Sequence, residues 1–434
     1  MKGKEKFPAL QIALDFLNLD RALKVAKEAV EGGADIIEAG TPLIKSEGME
    51  ALRRLRELFP GHTLLADLKT LDAGRTEMEA AAKAGADVAV VMAVASEATI
   101  RECVEAGLNY GIRVAADLLG ADDPAAAAKK CEELGVDHVC VHLPIDEQML
   151  GADPFETLRT VRKAVTIPVA AAGGINAETA GKAVAEGADI VVVGGAIIKS
   201  ADAAEAARVI KKAMETGSSE ATELYRRVGD GNVREILEKV STANISDGGH
   251  RKPGISGLIS LVPGSRIVGR AVTARTLPGD WAKSVEAIDE ASEGDVVVVD
   301  AGGVGPAVWG ELATHSAVQK KLAGVVIYGG VRDVSEIRKL SLPVFAALVT
   351  PQAGEPKGHG ETGVPITICG VTIRPGDWIV ADDDGIMVVE ARRAAELTNR
   401  AMDCLERENR IRQDITSGKT TLGKVMDLLR WEKK

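Results

Sequence analysis

Seven ionisable side chains in the first half of the chain stand where short apolar runs end. Asp15 follows Leu10–Leu14, and Glu38 follows Ile36-Ile37. Asp67, Lys69 and Asp72 follow Thr63–Ala66, Asp117 follows Arg113–Ala116, and His142 follows His138–Val141. Two further runs end in Gly173-Gly174 and Gly194-Gly195. Asp67 and Lys69 are two residues apart, so an extended backbone sends them to the same side, and Asp72 comes one loop turn later. A lysine between carboxylates keeps its proton. It is then a fixed cation for an oxyanion or enediolate rather than a Schiff-base nucleophile. Glu38 and Asp67 are hard oxygen ligands that suit Mg2+, with Mn2+ as a substitute. The glycine pairs can bare backbone amides to a phosphate. Together the residues read as a sugar-phosphate site with a metal and an enediolate-stabilising lysine. Singly, each has a plainer reading: Asp15 as a helix cap, His142 as a loop histidine, the glycine pairs as tight turns. Their recurrence at one place in a repeat argues against those.

The repeat shows in the sequence. Gly33-Ala-Asp35, Gly85-Ala-Asp87, Gly135-Val-Asp137 and Gly187-Ala-Asp189 each follow an Ala-rich helical run and precede a short apolar strand. The glycine caps the helix and the aspartate opens the strand. With Leu10–Leu14, Thr63–Ala66, Arg113–Ala116 and Ile167–Ala171 this makes eight strands alternating with helices. Near-continuous apolar strands indicate a parallel sheet covered on both faces. Eight units in about 210 residues match a (β/α)8 TIM barrel, whose chemistry sits at the carboxyl ends of the strands. A doubly wound open sheet would use fewer strands. Gly217, Ser218 and Ser219 lie in a polar stretch, so the predicted division is a barrel over 1–215, a linker over 216–222 and a second α/β domain over 223–434.

The 434 residues suit two or three domains, and 46% hydrophobic with 27% charged residues is ordinary globular composition. A net charge of −11 opposes a nucleic-acid-coating protein. Five scattered cysteines without a CxxC pair read as reduced thiols. With no apolar stretch of membrane-spanning length, the expectation is a soluble, cytoplasmic chain without membrane or nucleic-acid partners.

Leu65-Ala-Asp-Leu-Lys-Thr-Leu-Asp72 carries the Asp-x-Lys-x-x-Asp motif of the orotidine-monophosphate decarboxylase suprafamily. With Leu10-Gln-Ile-Ala-Leu-Asp15, Ile36-Ile-Glu-Ala-Gly-Thr41 and Ala172-Gly-Gly174, the first half resembles the 3-hexulose-6-phosphate synthases over about 210 residues. That resemblance implies a Mg2+-dependent aldol condensation of ribulose 5-phosphate with formaldehyde, or its reverse. It assigns Asp15, Glu38, Asp67, Lys69, Asp72 and His142 to the active site. It also implies a dimer in which Asp72 crosses into a partner's site. The implied mechanism has Mg2+ on Glu38 and Asp67, proton removal from C1 by His142 or a nearby carboxylate, and Lys69 stabilising the enediolate. In this reading Asp15, Asp117 and the glycine pairs bind substrate. The alternative is a barrel of the 3-keto-gulonate-6-phosphate decarboxylase type with a non-catalytic regulatory second half. Those decarboxylases usually carry an arginine shortly after the histidine, whereas Leu143-Pro-Ile-Asp146 has none.

In the second half, Gly310-Glu311-Leu312 opens a helix whose free amides can hold a carboxylate. Arg332 can clamp the same anion, and Asp333 can anchor a divalent metal. Against this, Asp333 and Glu336 have the spacing of a capping box. The stretches Ala307–Leu312 and Gly324–Asp333 are similar to the RraA-like family (regulator of ribonuclease activity A), which includes 4-hydroxy-4-methyl-2-oxoglutarate aldolases. That similarity implies a 2-oxo acid held by the amides and Arg332, a metal on Asp333, and trimer contacts. The chain is therefore expected to form a homo-oligomer larger than a dimer. Tyr328 stands where the family pattern would have Asp, which leaves room for a regulator.

Overall fold

Four turns close the foot of the barrel. Gly33, Gly85, Gly135 and Gly187 take left-handed φ values of 99°, 98°, 94° and 103°, which a side chain would resist. Each turn delivers an aspartate to the start of a neighbouring strand. The carboxylates of Asp35, Asp87, Asp137 and Asp189 accept the N–H groups of Leu10, Leu64, Val114 and Val169 at 2.7, 2.9, 2.7 and 2.9 Å. The aspartates' own N–H groups donate to the carbonyls of the same four residues. The repeat seen in the sequence is thus a repeated two-bond grip between adjacent strands. Lys211, Arg56 and Arg162 neutralise Asp35, Asp87 and Asp189.

The computed structural model describes residues 6–222, 227–228, 232–418 and 420–426. Residues 223–226, where the second domain is expected to open, and Trp431 lie outside the described residues. The strands are β1 (Ala9–Leu14), β2 (Ile36–Ala39), β3 (Thr63–Thr70), β4 (Val88–Met92), β5 (Arg113–Asp117), β6 (His138–His142), β7 (Val169–Ala172) and β8 (Ile190–Val193). All pair in parallel and β1 pairs with β8, so the predicted (β/α)8 TIM barrel is closed. Ala9, Ala13, Ile36, Leu65, Val88, Val90, Ala115, Ala170 and Val192 fill its interior. Leu10, Ile12, Leu14, Ile37 and Leu64 face the other way and pack beneath the helices. Continuing the inward series by twos brings Asp15, Glu38, Asp67, Lys69, Asp117 and His142 to the mouth.

The chain divides into two compact units, residues 1–148, 152–226 and 406–434 in one and 149–151 with 227–405 in the other. The sequence reading gives all of 223–434 to the second domain, whereas the described residues from Glu406 on group with the barrel. Arg410 and Asp414 explain this, because they pair with Glu28 and Lys24 of helix Leu19–Glu31. Of the 216–222 stretch, Thr216 still ends helix Ala203–Thr216, and from the left-handed Gly217 to residue 222 there is no regular structure.

In the second unit, strand Ile267–Arg275 pairs in parallel with Val296–Asp300, which is followed by Gly324–Val331 and Val344–Val349. The hairpin Trp378–Asp382 and Gly385–Val389 adds antiparallel strands on the other side. This is the expected α/β domain. No helix among the described residues is long and apolar enough to cross a membrane.

Helix Leu19–Glu31 ends against helix Ala203–Thr216 at a glycine. A Cβ on Gly32 would lie 2.2 Å from the Ala204 carbonyl oxygen and 2.7 Å from the Ala207 Cβ. Gly32→Ala is therefore expected to cost the barrel about 1–3 kcal/mol by overpacking. Its denaturant midpoint should fall, and an unchanged midpoint would mean that the helices part freely.

Candidate active site

The backbone kinks where the chemistry begins. Lys69 has a left-handed φ of 50°, and the β3–β4 register shifts between Ala66 and Thr70. Asp67 and Lys69 do share a side, as predicted, but through this kink rather than a plain pleat. The Lys69 ammonium lies 2.8 Å from Asp117 Oδ2 and 3.2 Å from Asp67 Oδ2. Burial alone would lower its pKa, yet Asp117 and Asp67 together raise it above the ordinary lysine value. It is a permanent cation.

The same Asp117 oxygen is 2.9 Å from His142 Nδ1, while Asp117 Oδ1 accepts the Leu119 N–H at 2.9 Å. Burial works against an ionised Asp117, but His142 and Lys69 outweigh it and bring its pKa down to about 2. An ionised Asp117 accepts the Nδ1 proton of His142, and in the neutral ring Nε2 is then the acceptor. Asp117, expected to touch substrate, engages both its oxygens with the protein. It positions Lys69 and His142.

Opposite lies a crowd of carboxylates. Glu38 and Asp67 are each 7% exposed, and Asp15 stands at the open edge of the same rim. Burial first, then Asp67 and Asp15, raise the Glu38 pKa well above the ordinary range. Shielding by the barrel mouth and the Asp67 charge raise that of Asp15 as well, although its tip reaches solvent. Glu38 Oε2 accepts from Gln11 Nε2 at 2.6 Å, and Asp67 Oδ2 accepts from the Thr41 hydroxyl at 2.8 Å. Asp67 Oδ1 is buried without a hydrogen-bond partner. Crowded carboxylates and an orphaned oxygen suit a divalent cation. Among the described residues no group of three His, Cys, Asp or Glu side chains could hold a metal by itself. Water or substrate oxygens would have to complete its shell.

Gly173 and Gly174 follow β7 with φ values of 106° and 72°, and Gly194-Gly195 opens the short helix Gly195–Ile198 after β8. A Cβ on Gly194 would lie 3.5 Å from Asp15 Oδ2, so this turn borders the site. Asp72 is exposed, its carboxylate accepts the Ala73 N–H, and no hydrogen bond or ion pair ties it to the Lys69 group.

In the second unit Gly310, Glu311, Arg332 and Asp333 come together, at the carboxyl ends of parallel strands where open α/β sheets bind ligands. Asp333 occupies the N-cap position of helix Val334–Leu340 with a left-handed φ of 60° but makes no capping bond, and Glu336 pairs with Lys339. The capping box is not formed. Instead Asp333 Oδ2 accepts the Glu311 N–H at 3.2 Å and lies 3.5 Å from Arg332 Nε. A Cβ on Gly310 would come within 2.7 Å of that oxygen, which explains the glycine. The Leu312 side chain is 79% exposed, and Tyr328 lies over the backbone of Gly303.

Residues 8–210 match the model of the orotidine 5'-phosphate decarboxylase / HUMPS family, and residues 242–388 match that of RraA-like proteins, Aldolase/RraA. The 3-hexulose-6-phosphate synthase of Bacillus subtilis is 38% identical over 209 residues, which cover 48% of this chain and 99% of the relative. The chain belongs to the orotidine 5'-phosphate decarboxylase / HUMPS family. Among solved structures, the Salmonella typhimurium 3-hexulose-6-phosphate synthase is 36% identical with a TM-score of 0.47, covering 48% of this chain and 99% of that one. The RNA-processing inhibitor RraA from Thermus thermophilis is 32% identical with a TM-score of 0.33, covering 34% and 91%. This HUMPS-family barrel, a lyase of aldolase type, is thus fused to an RraA-like domain.

Gln11 and Thr41, which hydrogen-bond Glu38 and Asp67, and Lys199, whose charge acts on Asp15, also border this rim without being picked out by spacing. For Gln11 the signal was there: a lone amide inside the apolar run Ala9–Leu14.

The raised Glu38 pKa carries a stability consequence. Its folded value lies above its unfolded one, so the ionised form weakens the fold above the unfolded pKa, and stability returns as pH falls through the raised value. At neutral pH and without divalent metal, Glu38→Gln should raise Tm by about 2–8 °C, or about 1–2 kcal/mol in a domain of this size. A lower Tm in differential scanning calorimetry would mean that the carboxylate crowd is not strained.

Proposed function

We propose that the barrel condenses D-ribulose 5-phosphate with formaldehyde to D-arabino-hex-3-ulose 6-phosphate, or runs the reverse cleavage, in the cytoplasm as part of a homo-oligomer. The observation that carries this reading is one carboxylate oxygen, Asp117 Oδ2, shared by the Lys69 ammonium and the His142 ring. A permanent cation and an oriented base on one anchor suit the making of an enediolate. Glu38 and Asp67 would hold Mg2+, with Mn2+ as a substitute; bound there, it would supply Lewis-acid polarisation of the ketose oxygens.

The chain's own groups do the rest. Backbone amides at Gly173-Gly174 and Gly194-Gly195 hold the phosphate, and Asp15 holds the sugar hydroxyls. His142 Nε2 takes the C1 proton, and Lys69 neutralises the negative charge that develops on the oxygens. The C1 carbon then forms its new bond to the formaldehyde carbon, and the resulting alkoxide takes a proton back from His142. Asp72, outside the Lys69 group in its own subunit, completes the site of a second copy in a dimer.

The test is formaldehyde consumption by the full chain with ribulose 5-phosphate and Mg2+. Lys69→Ala should lower kcat about 100- to 1000-fold, as loss of an oxyanion partner does, with KM little changed. Near-wild-type kcat would remove the enediolate role. Release of CO2 from 3-keto-gulonate 6-phosphate, without condensation, would favour the decarboxylase reading; the absence of an arginine in Leu143–Asp146 speaks against it.

For the RraA-like domain the reading is a divalent metal on Asp333 with a 2-oxo acid on Arg332 and the amides of Gly310, Glu311 and Leu312. It is favoured by Asp333 turning away from its own helix toward Glu311 and Arg332. Counting bound Mn2+ by electron paramagnetic resonance tests it: the Asp333→Asn chain should hold one ion fewer than wild type. Asn can still accept the Glu311 N–H, so an unchanged count points to a regulatory module without metal.

A further inference from the structure

The match to the HUMPS family stops at residue 210, yet residues from the far end of the chain complete the barrel unit. Helix Ala394–Ser417 carries Glu406 and Arg410. Arg410 is 4% exposed, and its Nη1 donates to the Ser200 carbonyl at 2.6 Å. Its remaining partners are Glu28, at 3.3 Å, and Asp414, at 3.5 Å. Asp414 in turn holds Lys24 at 2.9 Å, so Lys24 and Glu28 on helix Leu19–Glu31 meet Asp414 and Arg410, one turn apart on the tail helix. One turn the other way, Glu406 is 2% exposed and lies 3.8 Å from Lys199 Nζ.

Ser200 and Lys199 are the two residues after the short helix Gly195–Ile198. They end the loop that begins at Gly194, beside Asp15. Lys199 also acts on the Asp15 carboxylate through its charge. A guanidinium this buried is stable only with its donors matched, so its geometry fixes whatever it holds. Here it holds the carbonyl at the exit of the loop.

We infer that Glu406 and Arg410 are positioning residues that hold the loop of residues 194–200 in its substrate-binding geometry, a clamp beyond the matched part of the family fold. The inference rests on the reading of Gly194-Gly195 as a phosphate turn. A loosened loop binds the phosphate less well, while Lys69, Asp117 and His142, on β3, β5 and β6, keep their geometry.

The experiment uses the full chain, with steady-state kinetics in ribulose 5-phosphate and calorimetric titration of inorganic phosphate. Arg410→Ala should raise KM and the phosphate Kd about tenfold with kcat little changed, the scale of an indirect effect. Arg410→Lys, which keeps a donor for Ser200, should recover most of the loss. Lys24→Ala, which touches only the exposed edge of the clamp, should behave as wild type. If Arg410→Ala does not fold, Glu406→Gln carries the test with the same expected direction. Wild-type KM and Kd in both variants would overturn the inference, and so would a lower Tm with unchanged KM, which marks the tail as a stabiliser alone. Gly194→Asp separates the premise: wild-type phosphate affinity there would overturn the phosphate reading, while a raised KM in Arg410→Ala would still stand as positioning.

Discussion

Closure of the barrel depends on a carboxylate at the start of one strand gripping the foot of the strand before it. Asp35, Asp87, Asp137 and Asp189 each hold both backbone groups of one residue at the foot of the preceding strand. Parallel pairing fixes spacing only loosely, and a slip of one residue would turn every side chain to the opposite face. With the foot pinned at four of eight strands, the inward series runs in register to the mouth. Asp15, Glu38, Asp67, Asp117 and His142 face one another because of that registration. The kink at Lys69 is the local exception, made where the ladder has already shifted.

The mouth is tuned the opposite way from the foot. At the foot each carboxylate has amides and, for three of the four, a cation. At the mouth three carboxylates crowd together, and their mutual repulsion is left in place. Asp117 resolves one side of the conflict by holding Lys69 and His142 at once. The other side, around Glu38 and Asp67, stays unresolved within the protein. Stability is thus gathered at one end of the strands and held back at the other, the division of labour usual in such barrels.

Much of this was legible in the sequence. The Gly-x-Asp repeat announced the barrel, and the strand-end positions announced the rim, because period-two alternation is a local property. The hydrogen bonding of Asp117 was not legible. Its type fits a substrate contact as well as an anchor, and only the distances show that it holds Lys69 and His142. Nor could spacing choose between metal anchor and helix cap for Asp333, whose offset from Glu336 mimics a capping box while its left-handed backbone turns the carboxylate to Glu311. The grouping of the tail helix with the barrel is not legible for the same reason: a helix sequence states its polar face but not what that face meets. Gln11 was the avoidable omission.

The barrel unit is discontinuous along the chain, and this has a consequence for its synthesis. β8 ends at Val193, whereas Glu406 and Arg410 leave the ribosome about 200 residues later. At ordinary translation rates that interval is about 10–40 s, long enough for a nascent domain to fold. The eight strands can therefore close while the loop after β8 still lacks its last partners, and residues 227–405 of the second unit are made in between. The newborn barrel passes through a stage equivalent in extent to its stand-alone relatives. Its final hydrogen bonds arrive only with the tail.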